Sequence, residues 1–90
     1  MSHVYKKIDD LDIKQVPDGY VIYDERRKLV HFLNLTAAAV LELCDGRNNV
    51  QAIAAAIEDL FSLANSPLND VESCLKSLDS QGLIVLCSPS

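Results

Sequence analysis

Three glycines in ninety residues leave no glycine-rich loop to cradle a phosphate, because each stands at a turn or a helix end. Apolar runs stop at five or six residues, far short of the ~20 needed to cross a bilayer. The opening MSHVYKKIDD is charged and has no apolar stretch of signal-peptide character, so a cytoplasmic location without membrane contact is expected. Neither Cys-x-x-Cys nor His-x-x-x-His spacing occurs, and the two histidines, His3 and His31, lie far apart. Positive charge is scarce as well: 8 Lys and Arg stand against 13 Asp and Glu, for a net charge of −5. Residues 1–45 carry six basic side chains against eight acidic ones, and residues 46–90 carry two against five. Nucleic-acid affinity rests largely on Lys and Arg that displace counterions. Only Arg26-Arg27-Lys28 gathers them, and that run reads as a solvated turn, so nucleic acid is not expected as a partner.

What is present is an ordinary globular balance, 49% apolar and 23% charged. The length suits one domain over residues 1–90, with its core at about 11–86. Leu11 to Val16 alternates apolar with polar residues and predicts a first strand. Pro17-Asp18-Gly19 is a turn, since proline presets its own φ and glycine accepts a positive one. Tyr20 to Tyr23 predicts a second strand, Asp24 to Arg27 a polar hairpin connection, and Lys28 to Leu33 a third strand. Together they make an antiparallel meander whose outer strands are open edges.

From Asn34 the period becomes helical. Asn34 predicts an N-cap, with Ala37, Val40, Leu41 and Cys44 on one face and Gly46 as the stop. Asn49 opens a second helix that places Ile53, Ile57, Leu60 and Phe61 on its apolar face. A third has Ser66 as cap and Pro67 at its first position, with a stripe of Val71, Cys74, Leu75 and Leu78 and its stop at Gly82. The spacing predicts helices over 35–45, 50–62 and 67–81. Leu83 to Leu86 is a last extended segment, followed by a frayed Ser-Pro-Ser end. The fold class is therefore α+β and winged-helix-like: a three-stranded antiparallel sheet followed by three helices.

Chemistry is nearly absent from this pattern. Cys44, Cys74 and Cys87 are odd in number, widely spaced and set in apolar sequence, which favours reduced thiols over disulfides. On apolar stripes they act as small hydrophobes, and no electropositive setting activates one as a nucleophile. A zinc site built from them with His31 has no supporting spacing, so neither a metal nor any other cofactor is expected. His31 reads as a half-buried strand residue rather than a base. Asp79-Ser80 is like the Asp-Ser pair of acyl carrier proteins, but there the serine opens a helix near mid-chain, whereas Ser80 closes the last helix. No catalytic residue is assigned, and the chain is not expected to be an enzyme.

The wording of three segments resembles the PqqD family. These are HFLNLTAAAVLELCDG (His31 to Gly46), NNVQAIAAAIEDLF (Asn49 to Phe61) and DVESCLKSLDSQGLI (Asp70 to Ile84). The family pattern has a strand ending in Leu-Asn, then Thr-Ala-Ala and an apolar helix closing in Asp-Gly, then an Asp-Val…Leu…Leu…Gly-Leu ending. His31 stands where an aromatic or other large residue is frequent. The resemblance covers about residues 11–86. It implies a recognition element for ribosomally synthesised and modified peptides, which binds a precursor's leader segment. Such a module presents the peptide to a modifying enzyme, often a radical S-adenosylmethionine protein.

The residues themselves agree with that implication. A binder of extended peptides needs an unpaired strand edge and a groove for alternate side chains. Lys28, Leu29, Val30, His31, Phe32 and Leu33 supply the edge, and Ser73, Cys74, Ser77 and Leu78 on the third helix, with Gln81 on the same flank, supply the opposite wall. Partner-facing amides alternate along an edge strand, so proline at either Val30 or His31 is expected to remove one. A homodimer is among the expected partners. The alternative is a winged-helix DNA-binding or protein-interaction regulator, but the third helix carries only Lys76 against Asp70, Glu72 and Asp79.

Overall fold

The computed structural model describes residues 4–87; His3 and the Ser-Pro-Ser end lie outside them. Their elements run β1 (Val4–Lys7), β2 (Leu11–Val16), β3 (Gly19–Asp24), β4 (Leu29–Leu33), α1 (Leu35–Leu43), β5 (Asp45–Asn49), α2 (Val50–Leu60), α3 (Leu68–Ser80) and β6 (Ile84–Cys87). The fold class is α+β, as the patterning predicts. The meander forms a sheet of order β2-β3-β4, entirely antiparallel.

A second sheet, of order β5-β1-β6, departs from the expected order of three strands followed by three helices. Its central strand β1 precedes the expected core, and β5 falls where Gly46 was expected only to stop a helix. Gly46 does have a positive φ of 83°, but two residues beyond the helix C-cap, Cys44, and inside β5. The segment Asp-Gly-Arg-Asn-Asn has little strand preference of its own. Pairing with β1 draws it into the sheet, through an irregular register between Val4↔Asn49 and Lys6↔Asp45. On the other side β1 pairs regularly with β6, from Val4↔Cys87 to Lys7↔Ile84. The early and late parts of the described chain are thus joined.

The helix starts follow local chemistry. Asn34 Oδ1 accepts from the Ala37 amide at 2.8 Å, and Asn49 Oδ1 accepts from the Ala52 amide at 2.8 Å. The third start differs from expectation: Pro67, not Ser66, holds the cap position, and no side chain caps the helix there. The three helices and both sheets share one core. Ile22 and Leu33 enter from the meander, Val40, Leu41 and Cys44 from α1, and Ile53 and Ile57 from α2. Val71, Leu75 and Leu78 enter from α3, with Leu83 and Ile84 at the chain's return. Burying each large aliphatic side chain contributes about 1.5–3 kcal/mol. Leu60 and Phe61, expected on the buried face of α2, are instead 65% and 37% exposed at the helix end.

Candidate functional site

Which backbone groups face outward on the meander follows from one turn. Pro17 and Asp18 form a two-residue connection, so Val16 and Gly19 must exchange both hydrogen bonds. Antiparallel pairs alternate, and the register has no slip. Val21 and Tyr23 therefore bond to β2, while Tyr20, Ile22 and Asp24 bond to Leu33, His31 and Leu29 of β4. The N–H and C=O groups of Val30 and Phe32 are left pointing off the open edge. Side chains divide by the same parity: Val30 and Phe32, 65% and 58% exposed, share the outer face with Val21 and Tyr23. Leu29, His31 and Leu33 share the inner face with Ile22 and Asp24.

The start of this edge is fastened to α3. Asp24, fully buried, accepts through Oδ1 from the Arg26 and Arg27 amides at 3.0 and 3.1 Å, shaping the hairpin. Arg27 then donates from its guanidinium to the Gln81 carbonyl at the end of α3, at 3.4 Å, with its Nε 4.0 Å from Asp24 Oδ2. A Cβ on Gly82 would overlap that guanidinium, so the residue after the α3 cap leaves room for it. Three buried side-chain atoms on these elements have no hydrogen-bond partner among the described residues: Asp24 Oδ2, His31 Nε2 and Gln81 Oε1. Buried polar atoms are usually bonded, so the junction of β4 with the α3 end holds spare hydrogen-bonding capacity.

The expected site residues fall into distinct places. Leu29, Val30, His31 and Phe32 lie along the β4 edge, whereas Lys28 sits in the hairpin turn with a φ of 61°. Leu33 is buried at 5% exposure, and Leu78 at 1%, so both side chains belong to the core beneath the edge and the helix. Ser73 and Ser77 are exposed and Cys74 is half-buried on α3. His31 is bonded through its backbone to Ile22, so of the two proline positions expected to act on a partner, only Val30 faces outward; Phe32 joins it.

Two of the thiols, Cys44 and Cys74, are held in their neutral form. Burial pushes Cys44 up to about 12, with Cys74 and Asp45 adding to the rise and Lys7 opposing it. Its Sγ donates to the Val40 carbonyl at 3.2 Å. Burial raises Cys74 as well. A neutral thiol is neither a nucleophile nor a metal ligand. Among the described residues no group of three or more His, Cys, Asp or Glu side chains could hold a metal ion, and no helix is long and apolar enough to cross a membrane.

A feature that the sequence pattern did not expose lies on the other side of the inner face. A cavity of about 430 Å³ opens between the β2-β3 hairpin and the helices, lined by Ile13, Tyr20, Leu35 and Glu42 and by Leu60 and Phe61 at the end of α2. Periodicity marks Leu60 and Phe61 as apolar-face residues, but it cannot distinguish a core position from a cavity mouth.

Comparison with known proteins places this architecture. A solved structure of lasso peptide synthetase B1 complexed with the leader peptide is similar in fold, with a TM-score of 0.66. Sequence identity is 21%, and the likeness covers 90% of this chain and 96% of that one. No curated protein matches the chain in sequence. The family model for coenzyme PQQ synthesis protein D (PqqD) matches residues 19–84, from the central strand of the meander to the start of β6. The chain belongs to the PqqD family.

Proposed function

We propose that this chain binds the leader segment of a ribosomally synthesised precursor peptide and presents it to a peptide-modifying enzyme, without catalysing a reaction itself. The observation that carries the reading is the open edge of β4, with the main-chain groups of Val30 and Phe32 directed outward and its start tied to α3 by Arg27. A leader adding there as an antiparallel strand bonds to those two residues. Its alternate side chains fall on the inner side, against Leu29, His31 and the Ser73, Cys74 and Ser77 flank of α3. The others lie on the outer face beside Val30 and Phe32. Membership of the PqqD family supports this assignment, as does the fold shared with a protein solved with a leader peptide. The partner enzyme is of the class that modifies such precursors, radical S-adenosylmethionine enzymes among them, and the encounter takes place in the cytoplasm.

The exposed side of α3 does not favour the DNA-binding alternative. Asp70, Glu72 and Asp79 outnumber Lys76 there, and a phosphate backbone would be repelled.

Proline substitution separates this edge from the rest of the fold. Val30→Pro and Phe32→Pro each remove one outward donor, a position where edge strands tolerate proline. Each is expected to cost about 0.5–1.5 kcal/mol of binding, roughly a two- to twelve-fold loss. His31→Pro breaks the β3–β4 ladder and lowers thermal stability instead. The measurement is calorimetric titration with a synthetic leader peptide of a ribosomal precursor, alongside melting curves. Wild-type affinity in folded Val30→Pro and Phe32→Pro variants would refute pairing on β4.

A further inference from the structure

We propose that the opposite edge of the same sheet, β2, is a homodimer surface on which a second copy of this chain pairs strand to strand. The parity that turns Val30 and Phe32 outward on β4 turns Leu11, Ile13 and Gln15 outward on β2, since Asp12, Lys14 and Val16 bond to Tyr23, Val21 and Gly19. A two-fold axis passing between the Ile13 residues of the two copies, perpendicular to the sheet, then matches outward groups with outward groups. Ile13 faces its counterpart, and Leu11 and Gln15 each face the other's mate. The register satisfies every unpaired main-chain group between Leu11 and Gln15.

Charge selects the same register. Asp12 and Lys14 flank Ile13 on the outer face, both exposed, and neither has an ion pair or side-chain hydrogen bond among the described residues. Across the axis each Asp12 lies directly opposite the other copy's Lys14, at the close, non-hydrogen-bonded positions where cross-strand side chains interact best. A parallel pairing, or a slip by two residues, loses this double match. On the inner face Ile13 lines the cavity beside α1, so the second copy's Ile13 is brought next to that lining. Both sets of helices lie on one side of the joined sheet, which brings the exposed Leu60 and Phe61 of the two copies toward the axis. β4 stays free at both ends of the resulting six-stranded sheet, so dimerisation and use of that edge are compatible.

Charge reversal at these two exposed positions tests the register without disturbing the core. Asp12→Lys places Lys against Lys in the homodimer, and Lys14→Asp places Asp against Asp. Each is expected to weaken self-association by about tenfold or more in sedimentation equilibrium, two attractive pairs having become repulsive. Mixing the two variants restores opposite charges at both positions, so the mixture is expected to form heterodimers, and the double variant Asp12→Lys/Lys14→Asp to recover the homodimer. In the wild type the Leu11, Ile13 and Gln15 amides are expected to gain protection from hydrogen exchange as protein concentration rises. A wild type that stays monomeric to millimolar concentration overturns the proposal. So does a dimer indifferent to both reversals, or one whose mixture of variants fails to associate.

Discussion

Asp24 is the residue on which the geometry of the β4 edge turns, and its removal has a calculable cost. Its side chain is fully buried, and Oδ1 accepts from two backbone amides of the hairpin, those of Arg26 and Arg27. Hydrogen bonds to an ionised acceptor are worth about 1.5–3 kcal/mol each when broken one-sidedly. The opposing effect is the desolvation of a carboxylate whose Oδ2 has only Arg27 Nε, at 4.0 Å, for compensation. Taking the lower bound for each bond, Asp24→Ala is expected to destabilise the domain by about 3 kcal/mol. For a chain of this size that is a fall in Tm of about 12–24 °C. Asp24→Asn keeps an oxygen at the Oδ1 position and should lose only about a third as much. The two variants therefore separate the hydrogen bonds from the charge. Thermal unfolding followed by circular dichroism reads both. Below its melting point, Asp24→Ala should also bind leader more weakly, because Arg27 no longer fixes the hairpin against Gln81. Should Asp24→Ala melt within about 4 °C of wild type, desolvation cancels the hydrogen bonds and the hairpin is held by something else.

Other positions give sharp expectations. A Cβ at Gly19 would overlap the Leu33 carbonyl oxygen, so Gly19→Ala should push β3 from β4 and cost about 2 kcal/mol in urea unfolding, within the range for overpacking. Asn34→Ala removes the α1 cap and should cost about 1 kcal/mol by the same measurement. Cys44 keeps its proton in the fold up to about 12, whereas the unfolded thiol loses it near 9.0. Its contribution is therefore complete below pH 9 and declines by about 1.4 kcal/mol per pH unit above that until the folded thiol ionises. Cys44→Ala should flatten that slope relative to wild type. A thiol reagent at neutral pH should label native Cys44 more slowly than Cys87, with the difference vanishing in denaturant.

The parts of this fold legible in the sequence are those whose causes are local. Pro17-Asp18-Gly19 announces the first hairpin, alternation in Leu11 to Val16 supplies its strand, and Asn34 and Asn49 start two helices within one turn of where they stand. β1 and β5 have no such local cause. Val-Tyr-Lys-Lys is too short to show a period, and Asp-Gly-Arg-Asn-Asn resembles a loop. Both become strands because each offers the other a ladder across some forty residues, and no window-based reading reaches that far. The candidate site shows the same division. Leu29 to Phe32 were legible as an edge, but the turn conformation of Lys28 and the burial of Leu33 and Leu78 depend on packing from elsewhere. The outward direction of Val30 and Phe32 was within reach, since a two-residue hairpin at Pro17-Asp18 sets the parity for all three strands.

That parity also separates the two edges of the meander by chemistry. An exposed edge is usually protected by charge, because a partner strand would bury or repel it. On β4 the outward residues Val30 and Phe32 carry none, and the nearest charges, Arg26 to Lys28, are gathered in the turn at one end. Nothing along that strand specifies a particular sequence, so selectivity must come from the side chains on its inner side, near His31 and α3. On β2 the charges lie within the strand and are of opposite sign about Ile13. They oppose a strand of uniform charge and match one that carries the same pair in reverse order, which an antiparallel copy of β2 provides. One sheet thus offers an edge permissive in sequence and selective through its groove, and another selective through its own charge order. The two edges can be occupied by different partners at once because β3 lies between them.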